Sequence, residues 1–353
     1  MRTVQKSSYP LKNKILSAVI VLSILIVVCF VCSKEFNALD YLNQRADIIN
    51  VINFEPLSNA QVNQVFDVNS NTNDYMQMCF LSDTDECQIK SASIEKFAVA
   101  ELVYAYGDIN LLFPDMSYLK SISNNFCIID KTSAYELYGH TDVIGMRVVV
   151  NNKYFTICNV VDSQQQFILV SDIENKYLQY DQLLININGR SSKIISNKLS
   201  VVYGIKGDVI CYGIISFLPL CLIAVMSIIL VVLLIIKIRK QTILNTKYGY
   251  IFMEASLFIA FTGIALILIF FAERCPLDFI PTQWSAFDEW SVIIQTVKNN
   301  FKLLLVKNML FIEYNYVSQL FKSIVSAFTI FIMILLIKNY LCKKIVYIFD
   351  LKL

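Results

Sequence analysis

Residues 126–161, FCIIDKTSAYELYGHTDVIGMRVVVNNKYFTICNVV, decide how the polar part of this chain reads. Phe126-Cys127-Ile128-Ile129-Asp130 is a short apolar run ending in an acid, as expected of a buried strand that stops at a polar cap. Lys131 to Tyr138 has the length of a short helix. Asp130 or Thr132 can accept hydrogen bonds from the free N–H groups of its first turn. Gly139 can end it in the left-handed conformation, where glycine meets no Cβ clash. Arg147 to Val150 and Tyr154 to Val161 then flank Asn151-Asn152-Lys153, and because asparagine tolerates positive φ this predicts a β-hairpin.

Working outward, Phe167 to Val170 and Leu183 to Ile187 offer further strands, and Phe97 to Tyr106 mixes apolar and polar residues in a way that suits another. Asn, Asp, Ser and Gln crowd Gln61 to Asp74, which predicts a loop. Ser191 to Tyr203 is expected to lead back toward the next apolar segment. The expectation is an α+β domain over residues 34–208, large enough for one domain or two small lobes.

The remainder is too apolar for a water-soluble surface: 56% of the 353 residues are hydrophobic, only 16% are charged, and the mean hydropathy is +0.56. A bilayer core about 30 Å thick needs roughly 20 mostly apolar residues per helix. Four stretches qualify: 15–33, 209–236, 250–272 and 323–342. The first is read as a retained anchor. Its apolar run exceeds a usual signal-peptide core, no small-x-small cleavage pattern follows it, and Val31 precedes Cys32. Lys322 and Lys338 border the fourth span, where their heads can reach the headgroups.

Orientation follows from the basic flanks. Residues 1–14 hold Arg2, Lys6, Lys12 and Lys14 without an acid; residues 237–249 hold Lys237, Arg239, Lys240 and Lys247; the 343–353 tail and its border hold Lys338, Lys343, Lys344 and Lys352 against Asp350. Residues 33–208, by contrast, carry 13 Lys+Arg and 21 Asp+Glu, and residues 273–322 carry five of each. Both termini and the 237–249 loop are therefore expected in the cytoplasm, with 34–208 and the 273–322 loop outside the cell membrane. Nucleic-acid binding does not explain this asymmetry. The low glycine and proline content is compatible with a bacterial, AT-rich origin.

Chemistry-bearing residues are sparse. His140 is the only histidine and follows Gly139 in a turn, so neither a triad nor a multi-histidine metal site can form around it. No GxxxxGK[ST] run and no zinc spacing occurs. Of the ten cysteines, Cys79 and Cys87 form the easiest loop to close as a disulfide. Glu254 stands near the start of the third span; it reads first as an interfacial acid paired with Lys247 or Arg239, and second as a transport or gating group. Trp284, Trp290 and neighbouring aromatic residues suit an interfacial anchor, and Phe301 to Ile312, with Lys302 and Lys307, suits an amphipathic helix on the outer membrane surface.

The order of elements in 126–161 resembles the periplasmic core domain of MacB-type ABC permeases. The resemblance lies in Ile128-Ile129-Asp130, Leu137-Tyr138-Gly139, Ile144-Gly145, Arg147 to Val150 and Tyr154 to Val161, with Asn159 where the family usually has glycine. Asp130, Gly139 and Gly145 are its signature positions here. The start of the third span is similar to the family's FtsX-type segment, with Glu254 among apolar residues and Gly263 two turns on. The resemblance implies four transmembrane helices around the extracytoplasmic domain. It also implies a separate cytoplasmic ATPase that binds the ATP, no cofactor on this chain, and assembly as a homodimer or with a related permease. Candidate coupling residues are Glu254, Gly263, Arg239 and Lys240. Residues 237–249 are shorter than the family's loop at the ATPase contact and lack its Arg-Ala-Leu-Gly-like motif. A membrane sensor or scaffold uncoupled from any ATPase is the second reading, and an enzyme ranks last because no acid/base pair, nucleophile or metal cluster stands out.

Overall fold

The computed structural model describes residues 33, 37–116, 125–171, 175, 177–242, 274–281, 283, 285–306 and 310–350. The chain divides into two compact units, one of Tyr41–Leu218 with Phe270–Gln319, the other of Met1–Asp40, Pro219–Ile269 and Leu320–Leu353.

The first unit is α+β. Its main sheet contains β1 (Ile48–Ile52), β3 (Met78–Ser91), β4 (Phe97–Gly107), β5 (Phe126–Asp130), β6 (Arg147–Val150), β7 (Lys153–Val161), β8 (Phe167–Val170), β10 (Gln182–Asn186) and β11 (Asp208–Cys211). The short β2 (Leu57–Ser58) and β9 (Gln179–Tyr180) pair separately. The strand order is β11-β1-β10-β3-β4-β8-β5-β7-β6, and β6 returns to β3 through Lys90↔Val149 and Ser91↔Val148. Six strands thus close into a small barrel, while β10, β1 and β11 extend from the other end of β3 as an open wing. Closure removes the sheet edges that β6 and β3 would otherwise expose.

Each lobe has its own core. Ile89, Leu102, Ile129, Leu137, Ile157 and Ile168 fill the barrel lobe. The wing packs Ile49, Phe80 and Leu183 against Val62 and Val65 of α1 (Asn59–Ser70) and Ile195 and Leu199 of α3 (Ser192–Val202).

The 126–161 expectations hold in detail. Asp130 closes β5 and caps α2 (Lys131–Tyr138): its Oδ2 accepts from the Thr132 and Ser133 N–H groups at 2.8 and 3.0 Å, and its Oδ1 accepts from Ser133 Oγ and from Phe167 N at 3.0 Å. Gly139, at φ 80°, ends α2. Asn151 and Asn152, at φ 47° and 63°, make the two-residue turn between β6 and β7, whose mirror-image geometry matches strand twist.

Other expectations are corrected. The polar stretch 61–74 is not a loop: α1 covers most of it, because Val62, Val65, Phe66 and Asn69 recur on one helical face toward the wing. Gln61 Oε1 accepts from Ser58 N at 2.9 Å at the start of that helix. Ser191 to Tyr203 is α3, and the chain then enters β11 before any apolar helix. Residues 209–211, expected in the second span, pair with β1 instead. Cys79 and Cys87 are both free thiols. They stand eight residues apart on the extended β3, about 26 Å at strand rise, far beyond disulfide reach.

The second unit is described through the later parts of α4 (Tyr212–Thr242) and α6 (Phe311–Asp350). Among the described residues, one stretch, Tyr212–Ile229 of α4, is long and apolar enough to cross a membrane by length and composition. The expected fourth span, 323–342, falls inside α6; the expected third span and, apart from Ser33, the first lie outside the described residues. Residues 237–242 of the expected cytoplasmic loop continue α4.

Asp130 joins β5, α2 and β8 from a fully buried position, so Asp130→Ala is expected to lower the stability of this unit by about 3 kcal/mol through unpaired buried N–H groups. Thermal unfolding of the full chain followed by circular dichroism measures the shift; an unchanged midpoint refutes it.

Candidate functional site

The described parts of residues 273–319 fold into the first unit, and each attachment is polar at its centre. Asp278 Oδ1 accepts from Ser191 Oγ at 2.5 Å and its Oδ2 from Ser192 N at 3.1 Å, placing a carboxylate at the N-terminus of α3, where the helix dipole favours it. Asn300, on α5 (Phe287–Val306), accepts from Cys211 N at 2.6 Å and so holds the end of β11.

The first two turns of α6 make the most extensive attachment. Phe311 stacks on Phe167 of β8 with centroids 3.7 Å apart, and Phe113 lies 5.9 Å from it. Glu313, only 3% exposed, accepts from Asn50 Nδ2 of β1 at 2.7 Å and from Leu310 N at 3.0 Å. Asn315 accepts from Gln164 N at 3.1 Å and donates to Ser163 Oγ at 3.1 Å, while Gln164 Nε2 donates to Ser318 Oγ at 2.8 Å. Tyr316 donates from its hydroxyl to the Tyr212 carbonyl at 2.7 Å, with the two rings 4.8 Å apart. This root therefore holds the wing at β1, the barrel at β8, the β7–β8 loop and the first residue of α4 together.

Phe301 to Ile312 accordingly is not a surface helix. Its first half ends α5, and Leu310, Phe311 and Ile312 are buried. Leu304 is buried as well, while Leu305 stays exposed. Sequence reasoning missed Glu313, although an acid alone among Phe311, Ile312, Tyr314 and Tyr316 is the kind of signal that marks a partnered buried charge.

Of the sequence-predicted site residues, Asp130 and Gly139 stand at the two ends of α2. Gly145, at φ 87°, donates to Ile157 O at 2.8 Å. Arg239 and Lys240 lie on the last turns of α4, whereas Glu254, Gly263 and Trp284 lie outside the described residues. Trp290 is half-buried on α5 and His140 is exposed in the turn after α2.

Little in the described residues favours covalent or metal chemistry. No group of three or more His, Cys, Asp or Glu is placed to hold a metal ion there. Burial pushes the thiols of Cys79, Cys127 and Cys158 up from their usual range, which keeps them protonated and unreactive. An open cleft of about 490 Å³ at residues 90–97 is lined by one hairpin turn.

No family model and no curated protein matches the sequence. Solved structures do. The chain is similar to the periplasmic region of MacB from Actinobacillus actinomycetemcomitans. Identity is 14% over 46% of this chain and 86% of that one, with a TM-score of 0.35. It is similar also to the extracellular domain of the noncanonic ABC-type transporter YknZ from Gram-positive bacteria, at 12% identity over 46% of this chain and 97% of that one, with a TM-score of 0.33.

Two measurements probe this site. Phe311→Ala empties a stacked position and is expected to cost the unit about 3–5 kcal/mol, read as a lower melting temperature of the full chain; a change within error refutes the packing. Asp74 accepts from Arg190 at 2.7 Å and from Lys198 at 2.9 Å, and these hydrogen bonds lower its pKa from 3.8 to about 2. A depressed carboxylate pKa contributes stability that is fully present above about pH 4 and is lost as pH falls through about 2. The melting-temperature difference between wild type and Asp74→Asn should therefore shrink as the pH falls from about 4 through about 2; a difference that stays constant over that range refutes the linkage.

Proposed function

We propose that this chain is the membrane-spanning permease subunit of an ABC-type transporter or mechanotransmission complex, driven by a separate cytoplasmic ATPase. In this reading four helices cross the cell membrane, both termini are cytoplasmic, and the α+β domain lies outside. The chain works as a homodimer or beside a related permease, in a lipid bilayer and without nucleic acid. ATP is bound by the ATPase and not by this chain, which carries no cofactor and catalyses no reaction itself.

The observation that carries the reading is the double root. Two long apolar helices, α4 and α6, begin inside the folded domain, and the Tyr316–Tyr212 hydrogen bond of 2.7 Å ties the second turn of α6 to the start of α4. A shift of either helix along its axis must move buried groups of both lobes, because packed cores switch between arrangements and do not deform smoothly. Such a joint suits a protein whose work is to pass motion into a domain. The basic flanks and the acidic 33–208 segment support the orientation. Within this reading Glu254 and Gly263 of the third span, with Arg239 and Lys240 at the end of α4, form the coupling region, while Asp130, Gly139 and Gly145 keep the domain folded.

The decisive experiment is affinity purification of the tagged full chain from cells that also express its genomic neighbours. An ATP-binding-cassette protein should co-purify, and replacing residues 237–249 with a neutral linker should release it. Recovery of the chain with no such ATPase overturns the proposal in favour of an uncoupled sensor or scaffold.

A further inference from the structure

Around the root of α6, five buried polar atoms have no protein partner: Nε and Nη1 of Arg45, Oδ1 of Asn50, Nε2 of Gln182 and Oη of Tyr212. Arg45 is 4% exposed, Asn50 1%, and Gln182 and Tyr212 0%. They are neighbours. Asn50 Nδ2 donates to Gln182 Oε1 at 3.2 Å as well as to Glu313. The Tyr212 hydroxyl lies beside the Asn50 amide, within electrostatic reach of Arg45 and Glu313.

Buried polar groups in folded proteins almost always bond to protein or to ordered water. Turning the amides over does not remove these orphans. A reversed Asn50 would set its oxygen against the Glu313 carboxylate, and a reversed Gln182 would set one NH₂ against another. The chemistry of an occupant follows from the groups around it. The Arg45 guanidinium opposes a cation, the Glu313 carboxylate opposes an anion, and an apolar molecule leaves every orphan unpaired. What fits is a small neutral molecule that both donates and accepts, and a buried water forms about three such bonds.

The geometry points to a buried hydration site among Asn50, Gln182 and Tyr212, with Arg45 supplying further donors, at the joint where β1, β10, α4 and α6 meet. The site stands on these orphan atoms and not on the proposed function. Water there lets the joint exchange hydrogen-bond partners when a helix shifts, which dry packing does not allow.

Two measurements on the full chain in lipid nanodiscs test it. A structure that resolves ordered solvent should show water density bonded to at least three of the five atoms; a dry site overturns the inference. Tyr212→Phe deletes one hydroxyl and should lower the melting temperature by about 2–4 °C, as expected when a buried water loses a partner. An unchanged or raised melting temperature means that the hydroxyl bonds nothing, and overturns it too.

Discussion

β3 pairs with β10 at its N-terminal end and with β6 at its C-terminal end, while β4 runs beside it for most of its length. One 14-residue strand therefore belongs to an open wing and to a closed barrel at once. Because side chains alternate faces every residue along a strand, a slip of β3 by one position would turn out the apolar set of both lobes together. The bulge between Thr84 and Glu86 lies between the two regions, where an extra residue adds twist and lets the strand serve both. Gly107 ends β4 opposite Cys79 at the wing, at φ 118°, where any Cβ would strike the Met78 carbonyl oxygen.

The α6 root bears on both halves of that arrangement. Phe311 enters against Phe167 on the barrel side, and Glu313 reaches Asn50 on the wing. A buried carboxylate is tolerable only when its oxygens are hydrogen-bonded, and here both are. Losing either contact would loosen the helix from one lobe and leave it held by the other. The polar character of the joint also fixes direction: an apolar plug could seat in several registers, but an acid that must meet Asn50 and the N–H of Leu310 just before its helix fits in one.

Sequence patterning made the local structure legible where chemistry acts over a few residues. Asp130 and Gly139 were readable as the two ends of α2 because capping depends on one side chain and one backbone conformation. Asn151-Asn152 announced its turn for the same reason. Gln61 to Asp74 misled because its polar majority concealed four residues on one helical face, a pattern that gains meaning only beside the wing it covers. Phe301 to Ile312 misled in the opposite way: an apolar face without its partner looks the same whether lipid or protein will cover it.

By itself, the sequence determined the apolar segments, the charge asymmetry around them, and the strand–cap–helix–hairpin order of 126–161, since each depends on composition or on neighbours along the chain. Tertiary structure alone decided that β6 returns to β3, that residues 209–211 join β1, and that Glu313 meets Asn50 across 263 positions. Those are pairings between distant segments, and a hydrogen-bonding group carries no mark of its partner until the chain has folded around both.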